Sequence, residues 1–360
     1  MKTGFASLLS VLFPTSRLAS NELKHSWVSG FGTNENTYGV VHFDENLNLL
    51  STTETPFRLH DIAFRPAANE VCIPARRPGK VFLILNASGE MTSIQAPKGR
   101  HFYGHGAYSK DGRLLFLTEN DYLNGQGVIG IYEATNRYTR TGEMSSGGIG
   151  PHEILAYGDG KHLVVANGGI RTHPESGRAK LNLDTMRPNI SVIDPNRRLI
   201  VERMVLPEDM ANLSIRHIYV TQNDDIYFGV QDQFPGLEDF PLVGNWHAGR
   251  LATFVSAPDG GWSSFNGYVG SIRSDKSNNQ IAACSPRGGI ACFWTINDNH
   301  TPNAFHLKDV CGIERTQKPN QFIMTSGTGR LVKLEYSSRA LKVKNKKQLS
   351  IHFDNHCRVI

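Results

Sequence analysis

The 360-residue sequence has no apolar run that approaches the ~18 residues of a membrane-spanning helix, which excludes a helical span. It also lacks a phosphate-binding loop, a dinucleotide fingerprint and a Ser-His-Asp signature, so nucleotide-driven chemistry is disfavoured. Its five cysteines are scattered without a CxxC pair, and such a set predicts neither a disulfide framework nor a thiolate zinc site. One alternative stays open, a pairing of Cys284 with Cys292 across adjacent strands.

The charge balance gives little support to nucleic-acid binding. The chain carries 38 basic and 33 acidic residues, a net charge of +5. Part of the surplus is a run near the C-terminus, and its members are Lys342, Lys344, Lys346 and Lys347. Such a run is more often a solvated edge than a binding patch. No pattern of aromatic and basic residues recurs elsewhere, so no nucleic-acid partner is predicted.

The first twenty residues resemble a short secretory signal. Lys2 precedes an apolar stretch at 4–13, and small residues follow at Ala19 and Ser20. Arg17 and Leu18 stand where a cleavage site would have small residues. We expect residues 1–20 to be a signal segment and the protein to be periplasmic, with a cytoplasmic location as the alternative.

The most informative feature is an internal repeat of short apolar strands separated by Gly, Asn, Pro and Ser turns. One unit begins at His60 and continues through strands at 71–75, 81–85 and 91–94. The pattern begins again, at intervals of 41 to 65 residues, at His105, His152, His217, Val269, Val310 and His356. A four-strand unit of ~40–50 residues is typical of a propeller blade.

The two ends of the chain complete the count of blades. Residues 356–360 have the pattern of an innermost strand, and strands at 27–30, 38–43 and 47–50 would supply the rest of that blade. Pairing the last strand with the first would close the ring and remove its open edges. The sequence therefore predicts an all-β, seven-bladed β-propeller, a single domain over residues 21–360.

The first strand of each blade lines the central channel of a propeller. Five of the seven predicted openings are histidines, and these are His60, His105, His152, His217 and His356. Imidazole binds zinc, copper, iron and nickel, so a ring of histidines predicts a transition-metal site, with iron, copper or zinc as the candidates. Two alternatives stay open: hydrogen bonding to an anionic or carbonyl ligand, and purely structural bonds to neighbouring backbone.

A second set of polar residues stands at the ends of the second strands, which also approach the channel. The candidates to orient the imidazoles or to bind a ligand are Glu119, Asn120, Asn167, Asp232 and Arg287, together with Arg216 beside His217. Turn chemistry explains many such residues equally well.

The longest insertion lies at 170–188, inside the unit that begins at His152. Long loops on a rigid scaffold often carry function. His173, Arg178, Lys180 and Arg187 make this insertion a candidate lid or docking surface.

Several strings of this sequence resemble the bacterial domain of unknown function 1513 family. They lie at 101–106, 150–153, 177–188, 285–289 and 354–356. The resemblance implies a propeller-like fold, export that often uses a twin-arginine signal, and genes near imelysin-type periplasmic iron-uptake proteins. This sequence has no paired arginines near its N-terminus. The family implies no established catalytic residues.

Three hypotheses follow. The first is an exported, monomeric metal-binding propeller that handles iron or copper, with periplasmic iron-uptake proteins as partners. The second is a lactonase-like hydrolase, in which Glu119, Asn167 and Asp232 hold a divalent cation and a histidine acts as general base. The third is an interaction scaffold without catalysis. Oxygen-bound calcium would favour the second hypothesis, and a nitrogen-bound transition metal the first.

Overall fold

The computed structural model describes residues 26–66, 68–177, 179–298, 300–337 and 340–360, which form a seven-bladed β-propeller. Each blade is a sheet of four antiparallel strands, and the seven sheets stand in a ring. The predicted fold and blade count are confirmed. The predicted signal segment, residues 1–20, lies outside the described residues.

Blade 1 combines the two ends of the chain, and the other six blades follow in chain order. From the innermost strand outwards, blade 1 is β28 (His352–Val359), β1 (Trp27–Gly32), β2 (Tyr38–Phe43) and β3 (Leu49–Thr55). Blade 2 is β4 (Ala63–Phe64), β5 (Glu70–Pro74), β6 (Val81–Asn86) and β7 (Met91–Gln95); blade 3 is β8 (Arg100–Tyr108), β9 (Leu114–Asp121), β10 (Gln126–Glu133) and β11 (Thr139–Ser145); blade 4 is β12 (Pro151–Ala156), β13 (Leu163–Asn167), β14 (Asn189–Asp194) and β15 (Leu199–Val205). Blade 5 is β16 (Leu213–Val220), β17 (Ile226–Asp232), β18 (Val243–Trp246) and β19 (Thr253–Phe254); blade 6 is β20 (Ser271–Ser274), β21 (Gln280–Ser285), β22 (Ile290–Thr295) and β23 (Asn303–His306); blade 7 is β24 (Val310–Arg315), β25 (Gln321–Ser326), β26 (Arg330–Ser337) and β27 (Ala340–Gln348).

The ring closes through β28, which pairs antiparallel with β1 from Trp27↔Val359 to Gly32↔His352. The Ile360 amide also donates a 2.8 Å hydrogen bond to the Ser26 carbonyl. Every blade therefore has four strands, and β28 pairs with the inner edge of β1.

Apolar side chains on the two faces of each sheet fill the spaces between blades, as the period-2 alternation of strands requires. In blade 6, Cys292 packs with blade 5 residues and Cys284 with blade 7 residues. The two cysteines stand on neighbouring strands, where Cys284 is opposite Ala291 and Cys292 opposite Ala283. Since they face opposite sides of the sheet, the disulfide alternative is wrong, and all five cysteines are buried free thiols.

The C-terminal lysine run lies on β27, the outermost strand of blade 7, and is largely exposed. Lysine on an outer strand hinders edge-to-edge pairing with another sheet, in keeping with the predicted solvated edge. The remaining elements are three 3₁₀ turns at Pro174–Ser176, Glu208–Met210 and Trp262–Phe265. Among the described residues, we find no helix with the length and apolar character of a membrane span.

Candidate functional site

The innermost strands bring all five predicted histidines together in the channel. His105, His152, His217 and His356 lie on β8, β12, β16 and β28, and His60 lies just before β4. In β8, β12 and β16 the register with the next strand shifts at or beside the histidine. Such bulges turn a side chain away from its regular direction, and here they coincide with residues that face the channel.

The five imidazoles are in direct contact and form what we call the histidine ring. The ring centroids of neighbouring imidazoles lie 4.5 Å apart for His105 and His152, 4.9 Å for His152 and His217, and 5.0 Å for His217 and His356. His60 lies 4.8 Å from His105 and 5.1 Å from His356. All five side chains are buried.

Three members of the ring have their Nδ1 atoms fixed by acceptors. His105 Nδ1 lies 2.8 Å from Asp61 Oδ2, and His217 Nδ1 lies 3.3 Å from Glu153 Oε2. His152 Nδ1 lies 3.1 Å from the Arg216 carbonyl. An acceptor at Nδ1 places the proton there and leaves Nε2 with a free lone pair, the arrangement that metal-binding histidines commonly show.

Several ring nitrogens have no hydrogen-bond partner although they are buried. They are Nδ1 of His60, Nε2 of His105, Nε2 of His217 and both ring nitrogens of His356. His356 also has a φ of 123°, a region that favours glycine and in which side chains are strained. Unsatisfied buried polar atoms are uncommon and costly, so these nitrogens are candidates to bind a ligand.

Burial favours the neutral form of four of these imidazoles, and a metal ligand must be neutral. Loss of hydration lowers the pKa of His60, His152 and His356 well below the ordinary value. Burial also lowers the pKa of His217, although Glu153 opposes this effect. One ring nitrogen from each of His105, His152 and His217 lies within 4.8 Å of the other two, so a small shift of the side chains would bring the three around one ion.

A buried cluster of acids and arginines, which we call the charge cluster, also includes His105 and His217 of the histidine ring. Each blade contributes one group, and in order of blades 1 to 7 these are Arg358, Asp61, His105, Glu153, His217, Arg273 and Glu314. Glu153 Oε1 accepts hydrogen bonds from Arg273 (3.2 Å) and Arg358 (2.9 Å). Arg358 in turn binds both oxygens of Asp61, at 2.7 and 2.6 Å.

Two of the three acids of this cluster, Glu153 and Asp61, are held in their charged forms, whereas burial raises the pKa of the third, Glu314. Burial would also raise the pKa of Glu153, but the opposing effects of Arg273 and the His217 hydrogen bond bring it below its ordinary value. The pKa of Asp61 is lowered in the same way, with the hydrogen bond to His105 and the charge of Arg273 opposing the effect of burial. Sequence reasoning missed this cluster, although the pairs His60-Asp61 and His152-Glu153 place a carboxylate directly after a ring histidine.

A cavity of about 240 Å³ lies at the mouth of the channel, and His60 and His152 belong both to its lining and to the ring. Three residues of the predicted second set line it, Arg216, Asp232 and Arg287. Asp232 and Arg287 stand at the ends of second strands, and Arg216 lies beside His217 on the inner strand β16.

The other three residues of the second set make hydrogen bonds away from this cavity. Glu119 accepts hydrogen bonds from Tyr132 and Arg140 on the outer strands of its blade. Asn120 bonds to His101 and Thr172, and Asn167 to the Ser146 carbonyl and Asn189. The cavity lining contains none of the three. Glu119, Asn167 and Asp232 therefore have separate hydrogen-bond partners and do not share a site.

The insertion at 170–188 contributes Lys180 to the cavity. Its other candidates are placed differently. His173 contacts the Tyr122 ring at 5.2 Å, and Arg187 is exposed, 3.5 Å from Glu208. Arg178 lies outside the described residues. Part of the insertion thus lies beside the cavity at the channel mouth, through Ile170 and Lys180.

Comparison with known proteins places the chain in a family. The sequence model of a family described as "Protein of unknown function (DUF1513)" matches residues 53–360. The chain belongs to this family. No curated protein matches its sequence. The DUF1513 match covers every ring histidine and every residue of the charge cluster.

Solved structures support the fold alone. A chain of the "Crystal Structure of Mitotic Checkpoint Complex" is similar with a TM-score of 0.56 and 13% identity, over 81% of this chain and 80% of that one. A chain of "Kuenenia stuttgartiensis Hydrazine Synthase" gives a TM-score of 0.47 and 13% identity, over 83% of this chain and 73% of that one. Identities this low carry no functional information.

We expect the metal-free protein to lose stability as the pH falls from about 6.5 to about 4. Burial lowers the pKa of both His42 and His101 to about 4. Below pH 6.5 these histidines take up protons in the unfolded chain but stay neutral in the folded chain. Each such histidine therefore reduces the free energy of unfolding by about 1.4 kcal/mol per pH unit in this window. Carboxyl groups whose pKa is lowered on folding, such as Asp61 and Glu153, reduce stability only below about pH 4. Burial raises the pKa of Glu119 and Glu314, so these two oppose the effect of the histidines as the pH falls.

Urea unfolding at several pH values between 7.5 and 4.5 measures this slope. In His101→Gln the slope should be shallower by about one proton, or about 1.4 kcal/mol per pH unit. The Nε2 atom of His101 lies 2.9 Å from the Asn120 amide nitrogen, so it accepts a hydrogen bond and resists protonation. Equal slopes for the two proteins would contradict the prediction.

Proposed function

We propose that this protein binds a transition-metal ion in the histidine ring, with His105, His152 and His217 as the ligands. The observation that carries the proposal is the arrangement of these three imidazoles. Each has an acceptor at Nδ1, and the Nε2 atoms of His105 and His217 are buried without a partner. His60 and His356 stand next to them as further ligands.

The charge cluster supports a positively charged occupant. It contains three carboxyl groups but only two guanidinium groups, and Asp61 and Glu153 orient His105 and His217. Carboxylates at the second nitrogen of a metal-bound imidazole increase its basicity and fix its direction. Neutral nitrogen ligands favour copper, zinc or iron over calcium and magnesium.

The wider role we propose is handling of iron or copper in the periplasm. The support is the family resemblance, which implies export and genes near iron-uptake proteins. The pure nitrogen donor set of the ring agrees with either metal. Within this proposal the protein acts as a binding protein, and no catalytic step is assigned.

Metal content tests the proposal directly. Untagged protein is stripped with the neutral chelator 1,10-phenanthroline, loaded separately with Cu²⁺, Zn²⁺ or Fe²⁺, desalted and measured by elemental analysis. We expect close to one ion per chain for at least one metal. Replacing both His105 and His152 by alanine should abolish retention, while His306→Ala, which changes an exposed histidine on β23, should leave it unchanged.

A second variant tests metal binding without removing a histidine, in case the double alanine variant does not fold. Asp61→Asn keeps the shape of the side chain but removes the negative charge beside His105, and should weaken metal binding by about 10- to 100-fold. Circular dichroism confirms that each variant is folded. A wild-type protein that retains none of the three metals, or a folded double variant that retains as much as the wild type, would overturn the proposal.

A further inference from the structure

The cavity above the histidine ring is lined by an excess of cationic side chains. Five of its fourteen lining residues are basic, and these are Arg76, Arg77, Lys180, Arg216 and Arg287. One lining residue is acidic, Asp232, and its Oδ1 already accepts a 2.8 Å hydrogen bond from the Phe234 amide. Arg76 is paired with Asp354 at 3.2 Å, and the lining as a whole carries more positive than negative charge.

Aromatic rings stand beside two of these cations. The Arg77 guanidinium lies 6.0 Å from the centre of the Tyr103 ring, and the Arg287 guanidinium 4.8 Å from the centre of the Tyr268 ring. Both tyrosines line the cavity. The contact with Tyr268 positions the Arg287 guanidinium, whose N–H groups can still bind an acceptor.

Arg216 links the cavity to the histidine ring. Its carbonyl holds His152, its side chain lines the cavity, and its buried Nε has no partner. Burial and the nearby Arg77 lower the pKa of Arg216 to about 10, and burial with repulsion from Arg287 lowers the pKa of Lys180. Bringing like charges together inside a cavity costs free energy, and an anionic ligand would offset this cost.

We propose that this cavity binds a small organic anion with two or more negative charges, carried by carboxylate or phosphate groups. Guanidinium groups match such oxyanions in a bidentate geometry. The volume of about 240 Å³ is smaller than a typical site for a drug-sized ligand, so the anion has a short carbon skeleton. Tyr103, Tyr268 and Ile170 give that skeleton apolar surface.

The test of this anion site does not depend on the metal-binding proposal. Calorimetric titration of the phenanthroline-stripped protein uses citrate, succinate, inorganic phosphate and acetate as probes, at low and at high salt. We expect citrate or succinate to bind with one site per chain, more weakly at high salt, and acetate not to bind. Because the protein holds no metal, this outcome does not depend on metal retention by the histidine ring.

A double variant of two cations of the cavity locates the site. Lys180→Met with Arg287→Met should weaken binding of the organic anion about tenfold or more, because it removes two charged hydrogen-bond donors from the lining. The control, Lys161→Met with Arg197→Met, removes the same two charges from exposed turns and should bind like the wild type. Neither pair belongs to the histidine ring.

Three results would overturn the proposal. They are the absence of binding by any multiply charged probe at millimolar concentration, equal affinity in the cavity variant and the wild type, and binding of phosphate without either organic anion. The last would assign the cavity to an inorganic ion.

Discussion

Replacing Glu153 by glutamine should lower the free energy of unfolding by about 3–5 kcal/mol, although the side chain keeps its size. Glu153 is completely buried on β12 in blade 4. Its carboxylate accepts hydrogen bonds from residues of three other blades, namely His217 and the Ile218 amide in blade 5, Arg273 in blade 6 and Arg358 in blade 1. In the glutamine variant, the neutral amide no longer balances the positive charges of Arg273 and Arg358. Its NH₂ group also replaces an acceptor and faces neighbours that are themselves donors.

Urea unfolding measures the change, and Glu143→Gln is the matched control. Glu143 also binds two arginines, Arg100 and Arg140, but it lies on the outer strand β11 and its side chain is 36% exposed. Exposed ion pairs contribute at most about 1 kcal/mol, so the control should stay close to the wild type. A loss below about 1 kcal/mol in Glu153→Gln would show that the charge cluster does not hold the blades together.

The fold was predictable from the sequence because propeller blades repeat. Each unit has its own turn residues and its own apolar strands, so a misread strand in one unit is corrected by the others. The count of seven depended on the two ends, where residues 356–360 match an inner strand and residues 27–50 match the outer three. The structure has that pairing.

The histidine ring was predictable for the same reason, since equivalent positions of the inner strands meet in the channel. Equivalent positions in the repeat do not, however, predict the direction in which a side chain points. Glu119 and Asp232 both close a second strand, yet Glu119 points to outer strands of its blade and Asp232 lines the cavity. A shift of one residue reverses the face of a strand, so short polar strings at strand ends do not show which member faces the channel.

The charge cluster and the cationic cavity depend on contacts between residues far apart in the chain. Asp61 and Arg358 are 297 residues apart and meet only because the ring closes. Arg216 and Lys180 come from an inner strand and an insertion, and no local pattern relates them. Their shared property is a positive charge at the same cavity, which becomes visible once the fold has placed them.

Ring closure also predicts the largest single effect on folding. A chain that ends at Ser350 lacks β28, and we expect it to show no cooperative unfolding transition and to aggregate. The deletion exposes the inner edge of β1, whose amides and carbonyls then lack partners, and such edges template aggregation. It also removes His356 from the histidine ring and Arg358 from the charge cluster.

A circular permutant tests whether cooperative folding requires β28 itself or the order in which the strands follow one another in the chain. In the described structure the Ile360 amide bonds to the Ser26 carbonyl, so a short Gly-Ser linker can join the two residues. New ends are opened before Gly236, in the exposed loop between β17 and β18 where neighbouring Leu237 is 80% exposed. We expect this permutant, which keeps all 28 described strands, to unfold cooperatively in urea and to show the circular dichroism spectrum of the wild type. If the truncated chain unfolds as cooperatively as the permutant, cooperative folding of the propeller does not depend on the pairing of β28 with β1.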